Sequence, residues 1–190
     1  MSTITRWTSV DLKSLPDDGN RYEIIDGELY MSRQPSYYHQ SVCSKIVGKL
    51  ENWNERERLG DVSIAPGLIF ADDDDVAPDL VWISNERLNA ALDADGKLHN
   101  APELVVEVLS PGSVNERRDR EAKLQLYSRR GVSEYWIVNW ILRTIDVYRR
   151  DQAQLHYVAT LLETDKLESP LLPGFSCLVA SLFARVPRSE

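Results

Sequence analysis

Cysteine is scarce: Cys43 and Cys177 are the only two in 190 residues, and no Cys-x-x-Cys pair occurs. That excludes a disulfide scaffold and a zinc knuckle, and both thiols read as small buried hydrophobes. The three histidines, His39, His99 and His156, are widely separated, so no zinc triad is visible along the chain. Long apolar runs are missing as well. Tyr135 to Leu142, the longest, is interrupted by Asn139 and spans under half of the roughly 20 residues a membrane helix needs. Met1 to Val10 has neither a basic leader nor an apolar stretch, so the expected location is cytoplasmic, with no membrane partner. Nine Gly and nine Pro without a fixed period exclude collagen-like and repeat architectures. The absence of a Walker loop, a Gly-x-Ser-x-Gly elbow and a dinucleotide-type Gly-rich turn removes the usual supports for nucleotide triphosphate, acyl-transfer and redox chemistry.

What is present suits one compact domain spanning residues 1–190: 43% hydrophobic and 27% charged residues, with five Trp and eight Tyr to build a core. A net charge of −8 argues against holding nucleic acid by bulk electrostatics. The charge is unevenly spread, however. Asp72 to Asp75 with Asp79 form an acidic cluster, whereas Glu116 to Arg130 carries six Arg or Lys against three acids.

The expected fold is α/β, a mixed central sheet with helices on its faces. Tyr22 to Met31 reads as a hairpin turning at Asp26-Gly27. Ser36 caps a helix whose apolar residues Val42, Ile46, Leu50 and Trp53 recur at helical spacing until Gly60 stops it. Asp61 to Phe70 is strand-like, and the Asp72 to Asp75 run, lacking calcium-loop spacing, reads as a solvated loop. Asp79 opens a second strand, and Ser84 caps a short helix. Glu103 to Leu109 is almost continuously apolar, as in a central strand covered on both faces. A helix over Val114 to Arg130, ended by Gly131, leads to the strand Glu134 to Asn139, which implies a parallel crossover. Thr144 to Arg149 and Gln154 to Leu162 are antiparallel additions, and Ser176 to Phe183 is a last helix.

Glu107 is the anomaly in this pattern. An ionised carboxylate inside an apolar strand is costly unless a cation, a partner or a proton offsets it. A salt bridge to an arginine, or a strand end reaching water, would suffice. Asp79 also opens an apolar strand, though, and two carboxylates on neighbouring strands bring four oxygens toward one hard cation such as Mg²⁺ or Mn²⁺. Lys123 sits three and four residues before Leu126 and Tyr127, at the flank of the stripe that packs on the sheet, unless it is a solvated lysine. Beside paired carboxylates its ammonium would orient a water and offset charge developing on phosphorus.

Pro78-Asp79, Glu107-Val108-Leu109 and Lys123 resemble the PD-(D/E)XK nuclease superfamily. The stretches Tyr22-Glu-Ile-Ile-Asp-Gly-Glu, His39-Gln40, Ala77-Pro-Asp-Leu-Val, Pro102-Glu-Leu-Val-Val-Glu-Val-Leu-Ser-Pro, Arg118-Asp-Arg-Glu-Ala-Lys-Leu-Gln-Leu-Tyr and Gly131-Val-Ser-Glu-Tyr-Trp-Ile-Val resemble, more narrowly, its Uma-type restriction endonucleases. This likeness covers about residues 20 to 180. It implies a restriction-endonuclease-like core in which Asp79, Glu107 and the Val108 carbonyl bind Mg²⁺ or Mn²⁺ and Lys123 assists the water. The superfamily pattern places lysine two residues after the second acid, where this chain has Leu109, so the resemblance moves that role to helical Lys123. Glu23 matches the family pattern and would join the metal through water, or is a solvated strand-edge glutamate. The substrate implied is DNA. Arg117, Arg118 and Arg120 would hold flanking phosphates, or pair with Glu116, Asp119 and Glu121 along the helix. Tyr127 packs over or hydrogen-bonds the site, and His39 is either part of it or a helix-capping histidine. Cutting both strands favours a homodimer. The competing expectation is a non-catalytic nucleic-acid or protein-binding module on the same scaffold, with hydrolysis of another phosphate ester as a third.

Overall fold

The computed structural model describes residues 6–187. Its larger sheet has six strands: β3 (Gly60–Ile64), β6 (Leu80–Ser84), β7 (Leu104–Val108), β8 (Glu134–Asn139), β9 (Thr144–Asp151) and β10 (Gln154–Leu161), in the order β10-β9-β8-β7-β6-β3. Of these pairings only β7 with β8 is parallel, as the strand-helix-strand reading expects. A smaller sheet, ordered β2-β1-β5-β4, contains β1 (Arg21–Ile25), β2 (Glu28–Ser32), β4 (Leu68–Ala71) and β5 (Asp74–Val76). β1 and β2 form the expected hairpin. Asp26 and Gly27 turn it with φ of 55° and 76°, the positive values that a tight hairpin turn requires.

Alternation along the central strands separates two cores. Leu80, Trp82, Leu104, Val106, Trp136 and Val138 share one cluster with Val42, Ile46, Leu50 and Trp53 of helix α2 (Tyr37–Glu57). Val81, Ile83, Val105, Tyr135 and Ile137 face the other way, toward Leu126 and Tyr127. Fully burying each such side chain is worth roughly 1.5–3 kcal/mol, so a one-residue slip of a central strand would forfeit both clusters. The connection after β7 runs as α4 (Ser113–Arg117), a π-helical turn (Arg118–Lys123) and α5 (Leu124–Arg130), ended by Gly131 at φ 94°. The crossover therefore lays its helix on the sheet face that carries Glu107. No helix among the described residues is long and apolar enough to cross a membrane.

Four local expectations are corrected. Arg58, left-handed at φ 54°, ends α2, while Gly60 opens β3 because a Cβ there would collide with the Ile83 carbonyl. Asp61 to Phe70 divides into β3 and β4, which join different sheets. The Asp72 to Asp75 run is a turn entering β5; Asp74 is 1% exposed because Arg129 and Arg130 both reach its carboxylate. Ser176 to Phe183 is a three-residue strand, Ser176–Leu178, followed by a 3₁₀ turn, Val179–Phe183. Ser84 caps α3 (Asn85–Ala91) as expected, accepting from the Arg87 N–H, and a short α1 (Ser9–Leu12) precedes the hairpin.

Candidate active site

Strand register explains why Asp79 and Glu107 meet. β6 and β7 are antiparallel with Leu80 opposite Val106, and one further step sets Asp79 opposite Glu107 on the same sheet face. The Val108 N–H donates to Asp79 Oδ2 at 2.9 Å, which fixes that carboxylate against the end of β7. Both acids line a cavity of about 240 Å³, together with Arg21, Arg33, Gln34, His39, Ser110 and Arg118.

Lys123 projects from the π-helical turn into this cluster. Its Nζ lies 2.8 Å from Glu107 Oε1 and 2.9 Å from Glu23 Oε1, so one ammonium ties the large sheet to the small one. The π turn widens the helix locally, and Arg118, Asp119 and Lys123 all turn inward from it, buried to 9%, 1% and 1% exposure. Arg118 donates to Asp119 at 2.9 Å and stands 3.6 Å from Glu23. Tyr127, one turn after Lys123, donates its hydroxyl to Glu107 Oε1 at 2.8 Å, and its ring packs edge-on to Tyr135.

The cluster holds more negative charge than its own cations neutralise. Glu23, Asp79, Glu107 and Asp119 are buried acids, whereas Arg118 and Lys123 are the buried permanent cations among them; Arg21, part exposed, reaches Asp79 only at 3.5 Å. Burial pushes the Glu107 carboxyl up to about 8, and Asp79, Asp119 and Glu23 add to the rise against the pull of Lys123. Burial also raises Asp119. Glu23 and Asp79 go the other way. Burial opposes their ionisation, but Lys123 and Arg118 hold Glu23 below its ordinary value, and His39, Lys123 and the Val108 N–H do the same for Asp79. Lys123 is held charged by Glu107, Glu23 and Asp119 despite its burial. The surplus proton thus belongs on a carboxyl rather than missing from the amine.

His39, in the first turn of α2, places Nε2 3.2 Å from Asp79 Oδ2 and Nδ1 3.6 Å from Cys43 Sγ. One donor atom from each of these three residues lies within 4.8 Å of the others. Burial, with Asp79 and Glu107 nearby, pushes the Cys43 thiol far up, which suits an S–H donor to Nδ1 more than a thiolate metal ligand. That leaves the Nε2–H to orient Asp79.

Of the residues singled out in the sequence, Asp79, Glu107, Lys123, Glu23, Tyr127, His39, the Val108 backbone and Arg118 therefore converge. Arg117 and Arg120 do not. Arg117 pairs with Glu121 at 3.0 Å and Arg120 with Asp146 at 2.6 Å, away from the carboxylates. Asp119 was named only as a pairing partner of the helix arginines, and Arg21 not at all. The i,i+4 spacing of Asp119 and Lys123 was the available signal for the first; nothing local marks the second.

A family model described as "Uma2: Putative restriction endonuclease" matches residues 10–180. The chain belongs to the Uma2 family. Among solved structures, this Uma2 chain is similar to the crystal structure of a putative nuclease belonging to DUF820 from Anabaena variabilis ATCC 29413, with a TM-score of 0.73 and 17% identity over 93% of this chain and 97% of that one. At that identity the likeness speaks for the shared fold. Among curated proteins, none matches the Uma2 chain.

Proposed function

We propose that this protein is a metal-dependent endonuclease that hydrolyses DNA phosphodiester bonds. The observation that carries the reading is the surplus of buried carboxylate around Asp79 and Glu107 at the floor of an open cavity. Oxygen donors with an unmet demand for positive charge fit a hard divalent cation, Mg²⁺ or Mn²⁺. Asp79, Glu107 and the Val108 carbonyl would hold it, with Glu23 contributing through water. Such an ion offsets charge on phosphoryl oxygens and makes a bound water more acidic.

The chain's own groups supply the remainder. Lys123, kept as a cation, is no base; it donates hydrogen bonds that orient the attacking water and offsets negative charge as the phosphorus–oxygen bond to the sugar breaks. Tyr127 fixes the Glu107 carboxylate, and His39 does so for Asp79, so neither acid must reorganise during reaction. Cutting both strands calls for two such sites, so the reading includes a homodimer.

Purified protein with Mg²⁺ or Mn²⁺ should nick supercoiled DNA, and Asp79→Ala or Glu107→Ala should slow this by about 10³-fold or more, on the scale of losing a main transition-state stabiliser. Equal rates in those variants would refute the site. One observation favours a second reading, a non-catalytic nucleic-acid or protein-binding module: Lys123 is already doubly paired and 1% exposed. Calorimetry separates the two, since the module predicts no divalent-metal binding at millimolar concentration.

A further inference from the structure

Nucleic acid approaching this cleft meets an anionic floor on a chain of net −8, so a cation at the mouth would lower the repulsion. The arginines nearest the catalytic helix are poorly placed to serve. Arg117 makes only a surface pair with Glu121 and lines a cavity other than that of Asp79, while Arg120 is tied to Asp146 and Arg118 to Asp119 inside the protein. Arg21 lines the cavity but donates to the Ala77 carbonyl at 3.0 Å and leans on Asp79. Arg33 is different. It is exposed, it lines the same cavity as Asp79 and Glu107, and among the described residues no carboxylate or carbonyl engages its guanidinium.

Its backbone is anchored on both sides. Ser32 ends β2, Ser36 caps α2, and the two are joined by only Arg33, Gln34 and Pro35. Gln34 packs against the turn at Gly19, where a Cβ would stand 3.4 Å from Gln34 Nε2. Pro35 further restricts Gln34 before it. A short arm pinned by a strand and a 21-residue helix loses little freedom when it grips a ligand.

We propose that Arg33 binds a phosphate of the nucleic-acid strand next to the one to be cut, so that substrate enters over the β2–α2 connection rather than along the arginines of the crossover helix. This rests on the nuclease reading and names the group that admits its substrate. A guanidinium fork suits phosphate oxygens, and one such contact releases about one counterion.

The test is binding of fluorescently labelled DNA across a salt series, with Ca²⁺ replacing Mg²⁺ and the strand checked to be intact. Arg33→Ala should weaken binding about tenfold and lower the slope of log affinity against log salt by about one. Arg33→Lys should keep most of the slope, because the charge remains. Arg56→Ala is the charge-matched control: lying 17 residues beyond His39 on α2, about 25 Å along the axis, it should change neither. A slope that falls for Arg117→Ala or Arg120→Ala but not for Arg33→Ala overturns the inference, as does wild-type protein that fails to bind DNA. Binding that depends on Arg33 without cleavage in Mg²⁺ or Mn²⁺ sinks the nuclease reading and leaves this contact standing.

Discussion

Three buried acid sites in this molecule look alike by burial and differ in arithmetic. Asp74 is 1% exposed, yet it receives bonds from Arg129, Arg130 and the Asp26 N–H, so two cations serve one carboxylate. Glu134, also sealed, accepts from Trp136 Nε1 at 2.6 Å, Arg149 at 3.0 Å and Ser169 at 2.9 Å. Neither acid lines any of the described cavities. The Glu107 cluster has the reverse balance, four acids for two buried cations, and opens to one. A buried carboxylate is therefore not by itself a sign of chemistry. Unmet charge beside space for a ligand is.

The sharpest break of this comparison would be catalytic. Asp74→Asn and Glu134→Gln, once folded, should cut DNA at close to the wild-type rate in the nicking assay, against the loss of about 10³-fold expected for the Asp79 and Glu107 variants. Stability should show the opposite ranking. Asp74→Asn strands two arginines, and with both partly exposed the cost should be about 2–4 kcal/mol in urea unfolding. Glu107→Gln replaces a carboxyl that already keeps its proton below about pH 8, so it should cost under about 1 kcal/mol. If Glu107→Gln proved the more damaging of the two, the charge count would be wrong.

The fold was largely legible because burial on both faces leaves β6, β7 and β8 as nearly continuous apolar runs, and because Ser36, Ser84 and Gly131 mark helix ends through local chemistry. The two carboxylates were legible for the same reason: Glu107 interrupts such a run, and Asp79 stands at the head of another. Asp74 shows the limit. Its partners lie 55 and 56 residues away, so nothing local separates a buried, clamped aspartate from a solvated one. Arg118 shows it again: its inward placement beside Asp119 follows the π turn, which a 3.6-residue wheel does not anticipate.

Metal should sharpen the contrast next. At a hundredfold excess over its dissociation constant, a divalent ion that binds the folded chain alone adds about 2.7 kcal/mol, visible as a higher melting temperature. That gain should appear in wild type and in Glu134→Gln, and vanish in Asp79→Asn. Equal gains in all three would place the ion elsewhere.

The smallest expected effect is the dependence of metal-free stability on pH, and its sign distinguishes Glu107 from Glu23 and Asp79. A Glu107 carboxyl held near 8 keeps its proton after the unfolded chain, at about 4.5, has released one. Between those values the folded state binds more protons, so its contribution is complete below about pH 4.5 and is lost as pH rises through about 8. Glu23 and Asp79, both lowered, act in the opposite sense only under acid, where protonation removes what they contribute. From pH 6 to 7 the Glu107 slope should therefore stand alone among these three acids, at no more than about 1.4 kcal/mol per pH unit. Denaturant titrations in EDTA should show stability falling across that interval in wild type and a flatter profile in Glu107→Gln. A profile that rises equally in both would mean that Glu107 is ionised in the folded protein and that Lys123 alone compensates it, leaving the cluster no more in need of a metal ion than Asp74 is.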